Sequence, residues 1–248
     1  MPKPLHLRTV GACALALCLA LVVTASASAT TATLRVVGKN GTVLAEGPVK
    51  SKNTTVKTSP KATCLGAGSG GSGKKVALQG NTALGLLADA ALTNKALRPL
   101  SLTDHYSFGL GVCGVGKSLG KAGGASWYLK VDHKGATKSG NKVKIKAGDE
   151  VLWDLAPSYP YPDELVLSAP QQASAGVPFA VHVFAYDEKG KHTPVKGATV
   201  TGADGPTDAK GVTMVTLSEP GNLFAEMGKD IPSAAAPVCL GTQCPAGS

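Results

Sequence analysis

The chain has 248 residues, with 25 Lys and Arg against 16 Asp and Glu, and only 4% of its side chains are aromatic. That length accommodates one large or two small domains. Beyond residue 29 the only arginines are Arg35 and Arg98. Forked guanidinium contacts to bases and phosphates are therefore scarce, and a specific nucleic-acid reader is not expected.

Residues 1–29 read as a signal peptide. Lys3 and Arg8 make a basic start, Val10 to Val23 is apolar, and Ala25-Ser26-Ala27 and Ala27-Ser28-Ala29 are both Ala-x-Ala cleavage sites. The apolar run is too short to span a bilayer, and no later segment is apolar enough to do so. The expected location is secreted, extracellular or associated with the cell envelope. Cleavage after Ala27 and after Ala29 both remain open.

Thr33–Val37 and Thr42–Ala45 read as strands around the Lys39-Asn40-Gly41 turn. Residues 51–75 read as a loop that holds Cys64. Within it, Gly68 to Lys74 matches G-x-x-x-x-G-K. A phosphate loop needs a strand before it, a helix after it and Ser or Thr after the lysine, where this chain has Lys75. Residues 82–97 show apolar residues at helical spacing behind Thr82 as N-cap, with Pro99 beyond.

From there strands dominate. Trp127, Leu129 and Val131 alternate with Tyr128, Lys130 and Asp132; Val143 and Ile145 alternate with Lys142, Lys144 and Lys146; Val151, Trp153 and Leu155 follow. Period-2 alternation predicts pleated strands with the tryptophans inside and the lysines facing water. The stretch 117–146 holds eight lysines and one acid, Asp132. Lys130, Lys142, Lys144 and Lys146 are therefore candidates for attraction to an anionic polymer or envelope surface; they also read as a solvated edge, and the two readings are compatible. Tyr128 and Trp153 are the candidate lining of a small-ligand pocket.

Residues 157–163 form a Pro/Tyr-rich connector. Short β runs follow at Glu164–Ser168, Phe179–Tyr186, Ala198–Thr201, Val212–Leu217 and Leu223–Met227. Their spacing suggests a sandwich. Four cysteines lie beyond the signal peptide, Cys64, Cys113, Cys239 and Cys244. An exported chain should pair them, and three pairings are possible. Cys64 with Cys113 and Cys239 with Cys244 is favoured, because each pair then closes a loop within one region.

The helix at 82–97, Trp127-Tyr128-Leu129-Lys130-Val131-Asp132 and Lys146-Ala147-Gly148-Asp149-Glu150-Val151-Leu152-Trp153 together resemble the transcobalamin-like C-terminal domain family, over about 31–156. The resemblance implies a β-grasp-like α+β module. Cobalamin binding is not carried over, since the helical partner domain of the cobalamin carriers has no counterpart here. Ala175-Gly176-Val177-Pro178-Phe179, Tyr186-Asp187, Pro194 to Val200, Thr207 to Gly211 and Glu219-Pro220-Gly221 resemble bacterial Ig-like domains, over about 164–241.

The expectation is a mainly β chain: signal peptide 1–29, α+β domain 30–156, linker 157–163 and Ig-like β-sandwich 164–248. Its expected role is non-catalytic extracellular binding or adhesion, without cofactor or metal. A small-ligand-capturing or enzyme-accessory module is the alternative. Ser118-x-x-Lys121 and Lys138-Ser139-Gly140 lack the intervening element that penicillin-recognising serine enzymes require. His105, His133, His182 and His192 show no metal-like spacing.

Overall fold

The computed structural model describes residues 29–246. The expected signal peptide, 1–29, lies outside the described residues apart from Ala29. The chain is 41% strand and 8% helix, so the mainly β expectation holds.

The N-terminal part contains β1 (Thr30–Val37), β2 (Val43–Ser51), β3 (Thr54–Lys57), β4 (Lys75–Leu78), α1 (Ala83–Thr93), β5 (Leu100–Thr103), β6 (Gly111–Val115), β7 (Ser118–Leu119), β8 (Ser126–Val131), β9 (Lys134–Gly135) and β10 (Glu150–Ala156). The main sheet runs β2-β1-β10-β8-β9. Strands β1 and β2 form an antiparallel hairpin, and the two central strands β1 and β10 are parallel. The hairpin turns at Asn40 (φ 60°) and Gly41 (φ 74°), a left-handed pair that Asn-Gly adopts readily.

One face of this sheet packs on α1. Ala32, Leu34 and Val36 of β1 and Val151 and Trp153 of β10 share a core with Leu84, Leu86 and Leu87. Thr82 caps the helix by accepting from the Gly85 amide at 3.1 Å. The helix ends earlier than 97: Asn94 leaves the helical conformation and accepts from the Ala96 amide, starting a separate 3-10 turn over Lys95–Leu97. The expected loop 51–75 also carries strand β3, which pairs with β4 at the far end of the loop. The β-branched run Thr54-Thr55-Val56 suits that pairing.

The C-terminal part contains β11 (Glu164–Ser168), β12 (Gln172–Ala173), β13 (Phe179–Tyr186), β14 (His192–Pro194), β15 (Thr199–Val200), β16 (Val212–Val215), β17 (Gly221–Leu223), β18 (Ala225–Glu226) and β19 (Ala236–Leu240). Strand β13 pairs with β11, β14 and β16, while β19 pairs with β12 and β17. Leu165, Val181, Val183, Val215, Leu223 and Val238 from both sets of strands share a second core. Two turns are built alike. The Oδ1 of Asp187 accepts the amides of Lys189 and Lys191, and the Oδ1 of Asp208 accepts those of Lys210 and Val212. Gly190 and Gly211 supply the left-handed residue, both at φ 76°.

Two disulfides are formed, Cys64–Cys113 and Cys239–Cys244, with Cα separations of 5.2 and 4.1 Å. The first fastens the 58–74 loop to β6, and the second closes the turn after β19.

The decisive feature is the second face of the main sheet. From Leu34 onward every residue of β1 is buried, as is every residue of β10 after Glu150. Alternation exposes one face of a half-covered sheet to water. Here the C-terminal part covers that face, and Val37, Leu152 and Ile231 form a small apolar cluster across the junction.

Candidate functional site

Lys130 is on the face opposite Leu129, as alternation requires, but that face is the covered one. Only 1% of Lys130 is exposed. Its Nζ donates to the carbonyls of Tyr186 (2.8 Å) and Asp187 (3.4 Å) and lies 3.8 Å from Oε2 of Glu164. Lys130 therefore belongs to the junction, and it is withdrawn from the anion-attracting set.

Lys142, Lys144 and Lys146 are exposed, although not on a strand. The 142–146 segment makes a single bridge, Thr82 with Lys144, while Ile145 is buried and Val143 half-buried. The backbone there is held by contacts outside a sheet: Ala83 N donates to Val143 O, and Ile145 N to Asn81 O. Lys134, Lys138, Lys142 and Lys144 line a groove of about 400 Å³ together with Val131, Ala136 and Val143. No acidic side chain lines it. Lys146 lies outside its walls, and Lys134 and Lys138 take part instead.

Beside the groove stands the 105–109 loop. Tyr106 and Phe108 stack at 5.2 Å with 38% and 52% of their surfaces exposed. Lys142 Nζ donates to Ser107 O at 3.3 Å, Ser139 Oγ donates to Phe108 O at 3.0 Å, and Leu110 N donates to Asn141 Oδ1 at 3.0 Å. These bonds hold two exposed aromatic rings against the lysine segment. Sequence reasoning overlooked them; the signal was two rings within the polar turn His105-Tyr106-Ser107-Phe108.

Tyr128 and Trp153 do not line one pocket. Trp153 pairs with Leu129 and Tyr128 with Asp154, so the two rings point to opposite faces of the sheet. Trp153 is buried under α1 and donates from Nε1 to Ala83 O at 3.4 Å. Tyr128 stacks on Tyr161 of the connector at 4.0 Å. Burial, with the charge of Glu188 added, pushes its phenol up to about 12.

Two motifs are answered by their surroundings. The 66–74 loop is followed by strand β4, and Ser72 gives both its amide and its hydroxyl to the Asp104 carboxylate at 2.6 Å. A carboxylate already occupies the donors a phosphate would need. Ser118 sits in β7, and its Oγ accepts the Lys39 amide.

The densest set of buried charge lies in the junction. Arg35 Nη2 meets Glu164 Oε1 at 2.5 Å, and its Nη1 donates to the Pro232 carbonyl. His133 has Nδ1 3.2 Å from Glu164 Oε2 and Nε2 3.5 Å from Glu150 Oε2, and its ring stacks on Tyr186. Neither Nδ1 of His133 nor Oε2 of Glu164 has a better-aligned partner. Burial alone would push the Glu164 carboxyl up. The His133 contact and the charges of Arg35, His133 and Lys130 outweigh it and hold the group below its ordinary value. His133 is raised, chiefly by Glu164, while burial lowers Lys130.

No known protein family, no curated protein and no solved structure matches this chain.

Proposed function

We propose that the protein is a non-catalytic extracellular or cell-surface binding protein that attaches to an anionic polymer of the cell envelope through the lysine groove. The observation that carries this is the groove itself: four lysines, no acid in its walls, and two exposed aromatic rings alongside. Lysine ammonium groups suit repeating phosphate or carboxylate charges as compact point charges. Flat rings suit the apolar faces of sugar units. The two disulfides fit a compartment outside the cytosol.

Cosedimentation with purified bacterial cell walls tests it. Attraction between exposed charges is screened beyond roughly 8–10 Å at physiological salt. Binding at low salt should fall steeply as salt is raised. Exchanging Lys138, Lys142 and Lys144 for Gln should weaken it without lowering the unfolding midpoint. Binding that ignores both salt and the three substitutions defeats this reading.

A further inference from the structure

Between the β1–β2 turn, the end of β10 and the 226–232 loop lies a cavity of about 520 Å³, with Asp154, Leu155, Asp230 and Ile231 in its walls. Its size suits a small organic molecule, and junctions between structural units are where such sites recur. Asp154 is 5% exposed, and its carboxyl accepts no hydrogen bond from any described residue. Among the other buried carboxylates, Glu164 Oε1 is met by Arg35 and Asp149 by the Lys146 amide. Asp154 stands in the cavity wall, so a molecule bound there is placed to give its carboxyl the donors that the protein does not.

The neighbouring cations do not answer it. Arg35 and Lys130 act on Asp154 through space, but Arg35 is bound to Glu164 and Pro232, and Lys130 to the carbonyls of Tyr186 and Asp187. Asp230, half-buried in the same wall, is raised by burial first and then by the like charge of Asp163, against the Asp163 amide and the charge of Lys130. Glu226, Lys39 and Lys229 also line it, and all three are exposed to water. The enclosed part of the cavity is thus acidic and apolar.

We propose that this cavity binds a small organic cation, its ammonium or guanidinium group on Asp154 and Asp230 and its hydrocarbon body on Leu155, Met227 and Ile231. A cation supplies the donors that the Asp154 carboxyl lacks. Burial, aided by Glu164 and opposed by Arg35 and Lys130, raises Asp154 to about 7. Binding therefore strengthens as pH rises through that value and the carboxyl ionises.

The test uses the full disulfide-bonded chain and cyclohexylmethylamine, followed by amide NMR shifts. Saturable shifts are expected at Gly38, Gly228 and Ile231, with cyclohexanecarboxylate giving none. Asp154→Asn should weaken amine binding about tenfold, the scale of one charge-assisted hydrogen bond. That variant removes a charge without a partner, so it should fold, and its spectrum will show whether it does. Asp230→Asn provides a second variant at a half-buried position, expected to weaken binding less. The proposal is overturned if the amine leaves these resonances unmoved, if the carboxylate binds as well, or if folded Asp154→Asn and Asp230→Asn both bind as tightly as the parent.

Discussion

Arg35 Nη2 and Glu164 Oε1 meet at 2.5 Å although 129 residues separate them in the chain. Their contact closes the junction between the two cores, and Lys130 and His133 gather on the same carboxylate. Glu164→Gln removes the anion while leaving three basic groups buried together. Losing one partner of a buried ion pair costs about 3–5 kcal/mol. Urea unfolding at neutral pH should show a loss of that order. A loss below about 1 kcal/mol, the surface-pair range, would mean that Glu164 does not hold the junction.

Asp154 gives stability a pH dependence of definite sign. Between its ordinary 3.8 and about 7, the folded chain keeps a proton that the unfolded chain has released. Stability therefore falls as pH rises across that window. With each unit worth about 1.4 kcal/mol, the penalty above neutrality is on the order of 4 kcal/mol. Asp154→Asn should recover on the order of 2–4 kcal/mol at pH about 8 and almost nothing at pH about 4, as urea midpoints would report.

His133 and Glu164 bound the favourable range from opposite sides. His133 is raised above 6.5, so its contribution is complete below 6.5 and is lost as pH rises through the raised value. Glu164 is lowered below 4.5, so its contribution is present above 4.5 and is lost as pH falls through the lowered value. Maximum stability should lie on the mildly acidic side of neutrality. In His133→Gln the decline above pH about 6.5 should flatten, leaving the part due to Asp154.

Gly140 faces the Trp153 ring with no room to spare. A Cβ there would come within 2.6 Å of Cζ2 and Cη2 and 3.3 Å of Leu84 Cβ. Gly140→Ala must displace an indole held between sheet and helix, an overpacking cost of about 1–3 kcal/mol. Gly205→Ala, with nothing within 4 Å of the added carbon, is the matched control and should stay within about 0.5 kcal/mol. Thermal unfolding distinguishes them.

The two disulfides should differ in weight. Cys64–Cys113 spans 49 residues and Cys239–Cys244 only 5. Loop-closure entropy then assigns about 4 kcal/mol to the first and about 2 to the second. Replacing each pair with serines and comparing unfolding free energies checks the order. A larger loss from Cys239 and Cys244 would reverse it.

Much of the strand pattern was legible because it rests on local periodicity. The bounds of β11 and β13 match the alternating runs Glu164–Ser168 and Phe179–Tyr186, and both cysteine pairings followed from keeping each loop within its region. Lys130 shows where this reasoning stops. Alternation assigned it the correct face, but no local pattern states what covers a face, and the cover comes from residues 164–235. Lys142, Lys144 and Lys146 show the converse. They alternate like a strand and are exposed, yet find no neighbouring strand to pair with, since a ladder is a property of two segments. The Asp154 cavity was illegible for the same reason, being made by three stretches distant in the chain.

The junction takes its ties from the whole length of the C-terminal part. Glu164 holds Arg35, Glu188 O accepts the Gly135 amide, and the Ala235 amide donates to Glu46. The connector is itself docked through Tyr161 on Tyr128. The molecule is thus a bracket rather than two beads on a string. Tension applied near Cys239 would be carried into the main sheet by side-chain contacts before residues 157–163 bore any load. Lengthening that connector should leave the direction in which the lysine groove points unchanged.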